Sequence, residues 1–156
     1  MWFAESAKHA LVCRIGTGLC ALPLQHVVET LRPLPMAPLA GAPKYVLGVA
    51  LIRGVAQPVI DVARLLGEQD AEITRFVTLR IGERRVALAI GQIVGTRVLA
   101  REEMQELPPL LRDAGHGSLA ALGKLDAELL LVLDSARLIP EDEVLRAAVN
   151  AEGQPA

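Results

Sequence analysis

The sequence predicts a mainly β protein built from small barrels, with only short helices between the strands. About nine or ten short apolar segments follow one another at regular spacing, each bounded by glycine, proline or polar turn residues. Glycines recur along the chain, which argues against long helices, although abundant leucine and alanine leave a helix-rich fold open. Aromatic residues make up only 3% of the chain, so the core is expected to be aliphatic.

Composition limits the classes of protein to which the chain can belong. Its 156 residues suffice for one domain, or for two very small ones that share a core. With 52% hydrophobic residues and a net charge of −2, the chain is neither disordered nor basic enough to bind nucleic acid by neutralising phosphates. No apolar run is long enough for a membrane-spanning helix and the N-terminus lacks signal-peptide features, so we expect no membrane insertion and a cytoplasmic location.

The first segments predict a β-hairpin. Residues 11–15 and 19–23 are apolar and flank Gly16-Thr17-Gly18, whose glycines supply positive φ without steric cost. A two-residue turn there sets Cys13 opposite Cys20. In a cytoplasmic chain the two cysteines are most simply buried, reduced thiols, although this neighbourhood permits a disulfide.

A short helical segment, a proline-rich loop and a second hairpin are predicted next. Residues 25–31 favour one or two helical turns, and four prolines between positions 33 and 43 exclude regular structure there. Two apolar runs within residues 45–62, separated by Arg53-Gly54, predict a strand, a turn and a strand. A short helix over residues 63–66 follows and ends at a glycine.

A third pair of strands and a bent strand are predicted in the middle of the chain. Residues 76–81 and 86–90 alternate between two faces on either side of a polar turn, which is typical of a hairpin. Residues 91–99 continue as a strand in which Gly91 and Gly95 mark bulges or barrel corners.

The C-terminal part predicts the last hairpin and one or two short helices. The hairpin spans residues 119–133, and Asp134-Ser135 caps a short helix over residues 136–139. Residues 141–149 have helical composition, and residues 150–156 form a polar, flexible tail.

The strand-turn-strand segment carries a recognisable motif. From Tyr45 to Gly67 the chain reads Y-V-L-G-V-A-L-I-R-G, then P-V-I-D-V, then L-G, which closely resembles the signature of the CheW family. Members of that family are coupling proteins of bacterial chemosensory arrays. Residues 21–29 and the hairpin that ends at Asp134 resemble further segments of the family, so the resemblance covers residues from about 10 to 140.

The resemblance implies a fold and a function. It implies two small five-stranded SH3-like β-barrels packed together as one domain over residues 1–149, before the tail. It also implies a non-enzymatic adaptor without catalytic residues or cofactor, and the spacing of histidines and cysteines predicts no metal site. The implied partners are the cytoplasmic tip of a chemoreceptor and the regulatory domain of a CheA-type histidine kinase.

The resemblance further implies that Arg53, Glu29 and Val27 bind a partner, the receptor. A guanidinium at a turn offers a planar fork to a carboxylate or to backbone carbonyls. The residues alone leave Arg53 open as a solvated turn residue or as an intramolecular partner of Asp61 or Glu29. They also leave Glu29 open as a helix-surface residue and Val27 as a core residue, and they assign Asp61 to the cap of the following helix.

Three positions depart from the family pattern: Leu51, where asparagine is common, and Gly91 and Gly95, where the family has carboxylates. These departures are compatible with a divergent coupling protein or with a regulatory homologue that binds receptor or kinase without full coupling. A small β-barrel enzyme is a separate alternative, which would need a pocket with convergent polar groups. Small aliphatic barrels also tend to keep an exposed apolar patch for protein contacts. The sequence does not decide which of five candidates face outward: Ile52, Val55, Val94, Val98 and Leu99.

Overall fold

The computed structural model describes residues 7–109 and 118–138. Within these ranges the chain is mainly β, as predicted. The strands are β1 (Ala7–Ile15), β2 (Gly18–Pro23), β3 (Val27–Leu31), β4 (Val46–Ile52), β5 (Val55–Asp61), β6 (Arg75–Ile81), β7 (Arg84–Ile90), β8 (Gln92–Ala100), β9 (Leu119–Leu125) and β10 (Glu128–Leu133). The helices are α1 (Val62–Leu65) and α2 (Ser135–Leu138), and single 3-10 turns cover Leu24–His26 and Arg101–Glu103. The helix predicted over residues 141–149 and the tail over residues 150–156 lie outside the described residues.

The ten strands form two five-stranded sheets. The strand order is β8-β1-β2-β10-β9 in the first sheet and β3-β6-β7-β5-β4 in the second. Neighbours are antiparallel except for β10 beside β2 and β5 beside β7, which are parallel. Strands β3 and β4 therefore lie at the two edges of the second sheet.

The first hairpin has the predicted register, with Cys13 directly opposite Cys20. Both cysteines are buried, free thiols. The hydrogen bond to Cys13, together with burial, raises the pKa of the Cys20 thiol. The protonated form of Cys20 is therefore favoured. Both cysteine side chains serve as small apolar residues of the core.

The helical prediction for residues 25–31 is wrong over most of its length. A 3-10 turn covers Leu24–His26, but Val27–Leu31 is a strand that pairs with β6. A single helical turn is costly to nucleate, whereas pairing with β6 satisfies the backbone donors and acceptors of the segment. Two valines and a threonine also suit a pleated surface better than a helix.

Aliphatic side chains pack in three clusters of buried residues. The largest draws residues from both sheets and holds them together. Each sheet also has a smaller cluster of its own. Strand β6 contributes to two clusters, since Val77 and Leu79 lie in the shared one and Phe76 lies in that of the second sheet. Both faces of such strands are buried, which explains how a chain with few aromatic residues fills its core.

Strand β8 has the predicted bulge at Gly95. Val12 pairs with Gly95 while Cys13 pairs with Ile93, so Val94 is an extra residue in the ladder. Gly95 has φ of 145°. The bulge bends β8 along the edge of the first sheet.

Candidate functional site

The turn between β4 and β5 holds Arg53 in a strained backbone conformation. Ile52 pairs with Val55, which leaves Arg53 and Gly54 as the two turn residues. Their φ values of 52° and 77° are both left-handed, as in the turns that fit tight hairpins. Asparagine and glycine are usual at such positions, and a left-handed arginine costs roughly 1–2 kcal/mol. An arginine in this costly conformation points to a role for the guanidinium itself.

Arg53 forms a two-point ion pair with Glu29 on strand β3. Its Nε donates to Oε1 at 3.2 Å and its Nη2 donates to Oε2 at 2.9 Å. The pair joins the β4–β5 turn to β3, although β3 and β4 are opposite edges of the sheet. Reciprocal backbone hydrogen bonds of 2.8 Å between Ala37 and Val49 join the chain after β3 to β4 as well. The ion pair therefore lies where the second sheet curls back on itself.

The two partners of this pair differ in exposure. The Arg53 side chain is 78% exposed and that of Glu29 is 25% exposed. The Glu29 main chain is anchored by Thr78, whose hydroxyl accepts from the Glu29 N–H at 3.2 Å and donates to its carbonyl at 3.3 Å. Glu29 thus orients the guanidinium, whose other N–H donors remain accessible. Glu29 is therefore the intramolecular partner of Arg53, and the exposed side of the guanidinium can still bind another protein.

The ion pair lowers the pKa of Glu29 and raises that of Arg53, chiefly because each side chain hydrogen-bonds the charged form of the other. A lowered carboxyl pKa contributes stability above the usual carboxyl range, and that contribution is lost as the pH falls through the folded-state value. We expect the pKa of Glu29, followed by carboxyl NMR, to rise toward its ordinary value in the Arg53→Gln chain. An identical titration in both chains would show that the pair does not persist in solution.

Val27 and its neighbour Val28 differ in exposure at an irregularity in the β3–β6 ladder, where Val28 is left without a partner on β6. Val27 is half-buried and packs against the cluster shared by the sheets, whereas Val28 is 59% exposed. The family resemblance singled out Val27, and a helical interpretation of residues 25–31 gave no reason to expect exposure of Val28. A partner contact of Val27 remains a prediction.

The structure shows which of the five aliphatic candidates for an apolar patch are exposed. Three of the five candidates are exposed: Val55, Val94 and Val98. The other two are buried: Ile52 and Leu99. Leu51, where the family often has asparagine, is 69% exposed and lies two residues before Arg53. Leu51 therefore places an exposed apolar side chain on β4 close to the guanidinium.

The aspartates at the strand ends have structural contacts. Asp61 is buried, and its Oδ1 accepts from the Arg64 N–H at 3.2 Å, which confirms the predicted cap of α1. Asp134 precedes α2, and its carboxylate lies 3.5 Å from the Arg137 Nε. Within the described ranges, no three histidine, cysteine or acidic residues are grouped so as to hold a metal ion.

Steric crowding explains why glycine stands at the two positions where the family pattern has carboxylates. The Gly91 N–H donates to the Arg14 carbonyl at 2.9 Å, and a Cβ on Gly91 would lie 2.9 Å from that oxygen. Gly95 has left-handed φ at the bulge, and a Cβ there would lie 3.1 Å from the Arg97 Nη1. A carboxylate at either position would require the backbone or its neighbours to shift. The backbone conformation of this chain therefore disfavours carboxylate side chains at positions 91 and 95.

Comparison with known proteins settles the family. Residues 9–143 match the family model described as the CheW-like domain. The chain belongs to the CheW-like family. The chemotaxis protein CheW of Rhizobium meliloti is 22% identical over 142 residues, which cover 89% of this chain and 92% of that protein. Protein FrzA of Myxococcus xanthus is 30% identical over 125 residues, which cover 76% of this chain and 78% of FrzA.

The CheW-like fold is shared with a solved structure. The scaffolding protein TtCheW from Thermoanaerobacter tengcongensis superposes with a TM-score of 0.72 at 17% identity, covering 81% of this chain and 88% of that one. The prediction of two packed, five-stranded SH3-like barrels is thereby confirmed. In the part of the chain that the structure describes, no helix has the length and apolar character needed to span a membrane.

Proposed function

We propose that this chain is a non-enzymatic adaptor that couples a chemoreceptor to a CheA-type histidine kinase in the cytoplasm. Family membership supports this role, as do relatives named chemotaxis protein CheW and scaffolding protein TtCheW. The observation that carries the proposal is the Arg53 guanidinium, which stands at an exposed, strained turn and is oriented by Glu29. Its proposed ligand is the cytoplasmic tip of the receptor, and the second partner is the regulatory domain of the kinase.

Coupling of this kind depends on contact geometry. Because Glu29 already fixes the plane of the guanidinium, a partner carboxylate or carbonyl meets a donor that loses little freedom on binding. Exposed Leu51 and Val28 add apolar area of the type found at the centre of protein interfaces. The cluster shared by the two sheets makes the barrels one packed unit, so a contact on one barrel can position a partner held by the other.

The coupling role is tested by co-sedimentation of the full chain with a cognate receptor cytoplasmic fragment and the kinase. We expect the chain to pellet with receptor, and the kinase to pellet with receptor only when the chain is present. Folded chain that stays in the supernatant with either partner contradicts the proposal. The kinase without the chain is the matched control.

A regulatory homologue is the second candidate, and the missing carboxylates at Gly91 and Gly95 are the observation that favours it. They alter the polarity of the edge of the first barrel without touching the Arg53 turn. In the same assay, such a protein would pellet with receptor or with kinase but would not bring the two together.

A further inference from the structure

Two arginines stand directly opposite each other on the β6–β7 hairpin. Arg80 pairs with Arg85, one step before the Ile81–Arg84 pair that closes the turn. Opposed side chains of an antiparallel pair have Cβ atoms about 4.5–5.5 Å apart, and like charges at that spacing destabilise the sheet. The fold therefore concentrates two positive charges at this end of the second sheet.

Neither arginine has a counter-charge within the described part of the chain. Arg80 is exposed, and its Nε donates to the Gly82 carbonyl of the turn at 2.9 Å. Arg85 is half-buried, and no ion pair joins either guanidinium to an acidic side chain among the described residues, Glu83 of the turn included. Four other arginines do form ion pairs with acidic side chains: Arg14, Arg53, Arg64 and Arg137. The opposed pair thus differs from these arginines in both placement and neutralisation.

A buried amide lies beside the arginines. Strand β5 runs parallel to β7 with Val59 opposite Ala87, so the same register sets Gln57 beside Arg85. Gln57 is 3% exposed, its Nε2 donates to the Ile52 carbonyl at 3.5 Å, and its Oε1 has no hydrogen-bond partner among the described residues. A buried acceptor without a donor is costly and uncommon in native proteins. Gln57 therefore marks a position at which a donor is missing.

The amide and the two arginines lie on one face of the second sheet. Side chains of a strand alternate between faces, so Arg80 shares the face of Phe76 and Gln57 shares that of Val59. Phe76 and Val59 both belong to the cluster of the second sheet. Arg85 lies directly opposite Arg80 and so belongs to the same face. The three polar side chains form a row across β5, β7 and β6.

We propose that Arg80, Arg85 and Gln57 form a binding site for a phosphate group, either free phosphate or the phosphate of a monoester. This inference adds a ligand to the chain and does not depend on its coupling role. A guanidinium binds phosphate oxygens through two parallel hydrogen bonds, and two guanidinium groups match the two negative charges of hydrogen phosphate. The hydroxyl of hydrogen phosphate, or of a singly charged monoester, supplies the donor that Gln57 Oε1 lacks.

Charge and hydrogen bonding together favour phosphate over other common anions. A carboxylate carries one negative charge, so it neutralises only one of the two opposed arginines. Sulfate carries two charges, but it has no hydroxyl and presents only acceptors to Gln57 Oε1. Hydrogen phosphate combines the double charge with a donor, which is the combination that this row of side chains requires.

Titration with inorganic phosphate and with sulfate tests the site. The full chain is followed by amide NMR near neutral pH, with sodium chloride keeping the ionic strength constant. We expect saturable shift changes at residues 57 and 80–85 with phosphate, and binding of sulfate weaker by at least about tenfold because a buried acceptor stays unpaired. Glycerol phosphate is the third probe: tighter binding than that of inorganic phosphate assigns the site to a monoester, and weaker binding assigns it to free phosphate.

Substitutions separate this site from ordinary surface charge. Arg80→Gln and Arg85→Gln should each weaken phosphate binding by at least about tenfold, as expected for losing hydrogen bonds to a charged group. Their Tm without phosphate should be unchanged or slightly raised, because each removes one of two opposed like charges. Phosphate should raise the Tm of the parent chain and not that of the double variant. Arg97→Gln is the matched control and should bind phosphate normally, since Arg97 is also exposed and donates to a backbone carbonyl, that of Thr96, at 2.8 Å.

The Gln57→Leu chain should lose the preference for phosphate over sulfate, because it has no acceptor to pair with the hydroxyl. If this buried substitution prevents folding, the comparison of the two ions on the parent chain decides. Equal binding of phosphate and sulfate by the parent chain, or an equal loss in the Arg97→Gln control, indicates an adventitious ion only and overturns the proposal. Folded parent chain without saturable shifts at residues 57 and 80–85 also overturns it.

Discussion

An Arg53→Glu chain should lose receptor capture by at least about thirtyfold, the usual consequence of disrupting a desolvated charge contact. The substitution places a carboxylate where the proposed partner meets a hydrogen-bond donor, and it leaves Glu29 without its cation. Its Tm should change little, because exposed ion pairs contribute little to stability and Arg53 is mostly exposed. Receptor co-sedimentation and thermal unfolding measure the two effects on the same protein.

Two controls separate partner binding by Arg53 from its bond to Glu29. The Glu29→Arg/Arg53→Glu chain restores an ion pair of reversed polarity, and we expect it to remain defective in capture. Arg14→Glu reverses an exposed arginine that also pairs with a glutamate, Glu128, at 3.1 Å on the first sheet, and capture should persist. Full capture by the doubly substituted chain would mean that Arg53 acts only within the protein.

Local patterns in the sequence predicted the hairpins well. The turn at Arg53-Gly54 and the cysteine register each follow from a few neighbouring residues, because hairpin geometry is set by the turn between the strands. The bulge at Gly95 was indicated by the glycine itself, although it forms in the pairing of β8 with β1. Strand β3 could not be predicted in the same way. Its conformation depends on β6, which lies some fifty residues later in the chain, and propensity yields to such pairing.

The candidate site was also predicted only in part, because some of its contacts depend on residues that are distant in the sequence. The sequence identified Arg53 and Glu29 through the family motif, but it could not choose between Glu29 and Asp61 as the partner of Arg53. That choice depends on the curl of the second sheet, which brings its edges together, and on the use of Asp61 as a helix cap.

The Gly48→Ala substitution is expected to lower the free energy of unfolding by about 3 kcal/mol. Gly48 has φ of 156°, and a Cβ there would lie 2.4 Å from the Ala37 carbonyl oxygen. That oxygen accepts from the Val49 N–H in the backbone bridge that joins the chain after β3 to β4. A strained backbone costs of order 1–3 kcal/mol, and each weakened hydrogen bond adds about 0.5–1.5 kcal/mol. Denaturant unfolding of both chains gives the difference.

Gly41→Ala isolates the effect of the close approach from that of backbone conformation. Gly41 also has positive φ, at 80°, but no other atom lies within 4 Å of the position its Cβ would take. We therefore expect only the left-handed penalty of roughly 1–2 kcal/mol. Similar losses for the two substitutions would show that the Ala37–Val49 bridge yields without cost. A larger loss at Gly48 would explain the glycine in the motif as the residue that lets the sheet close behind the Arg53 turn.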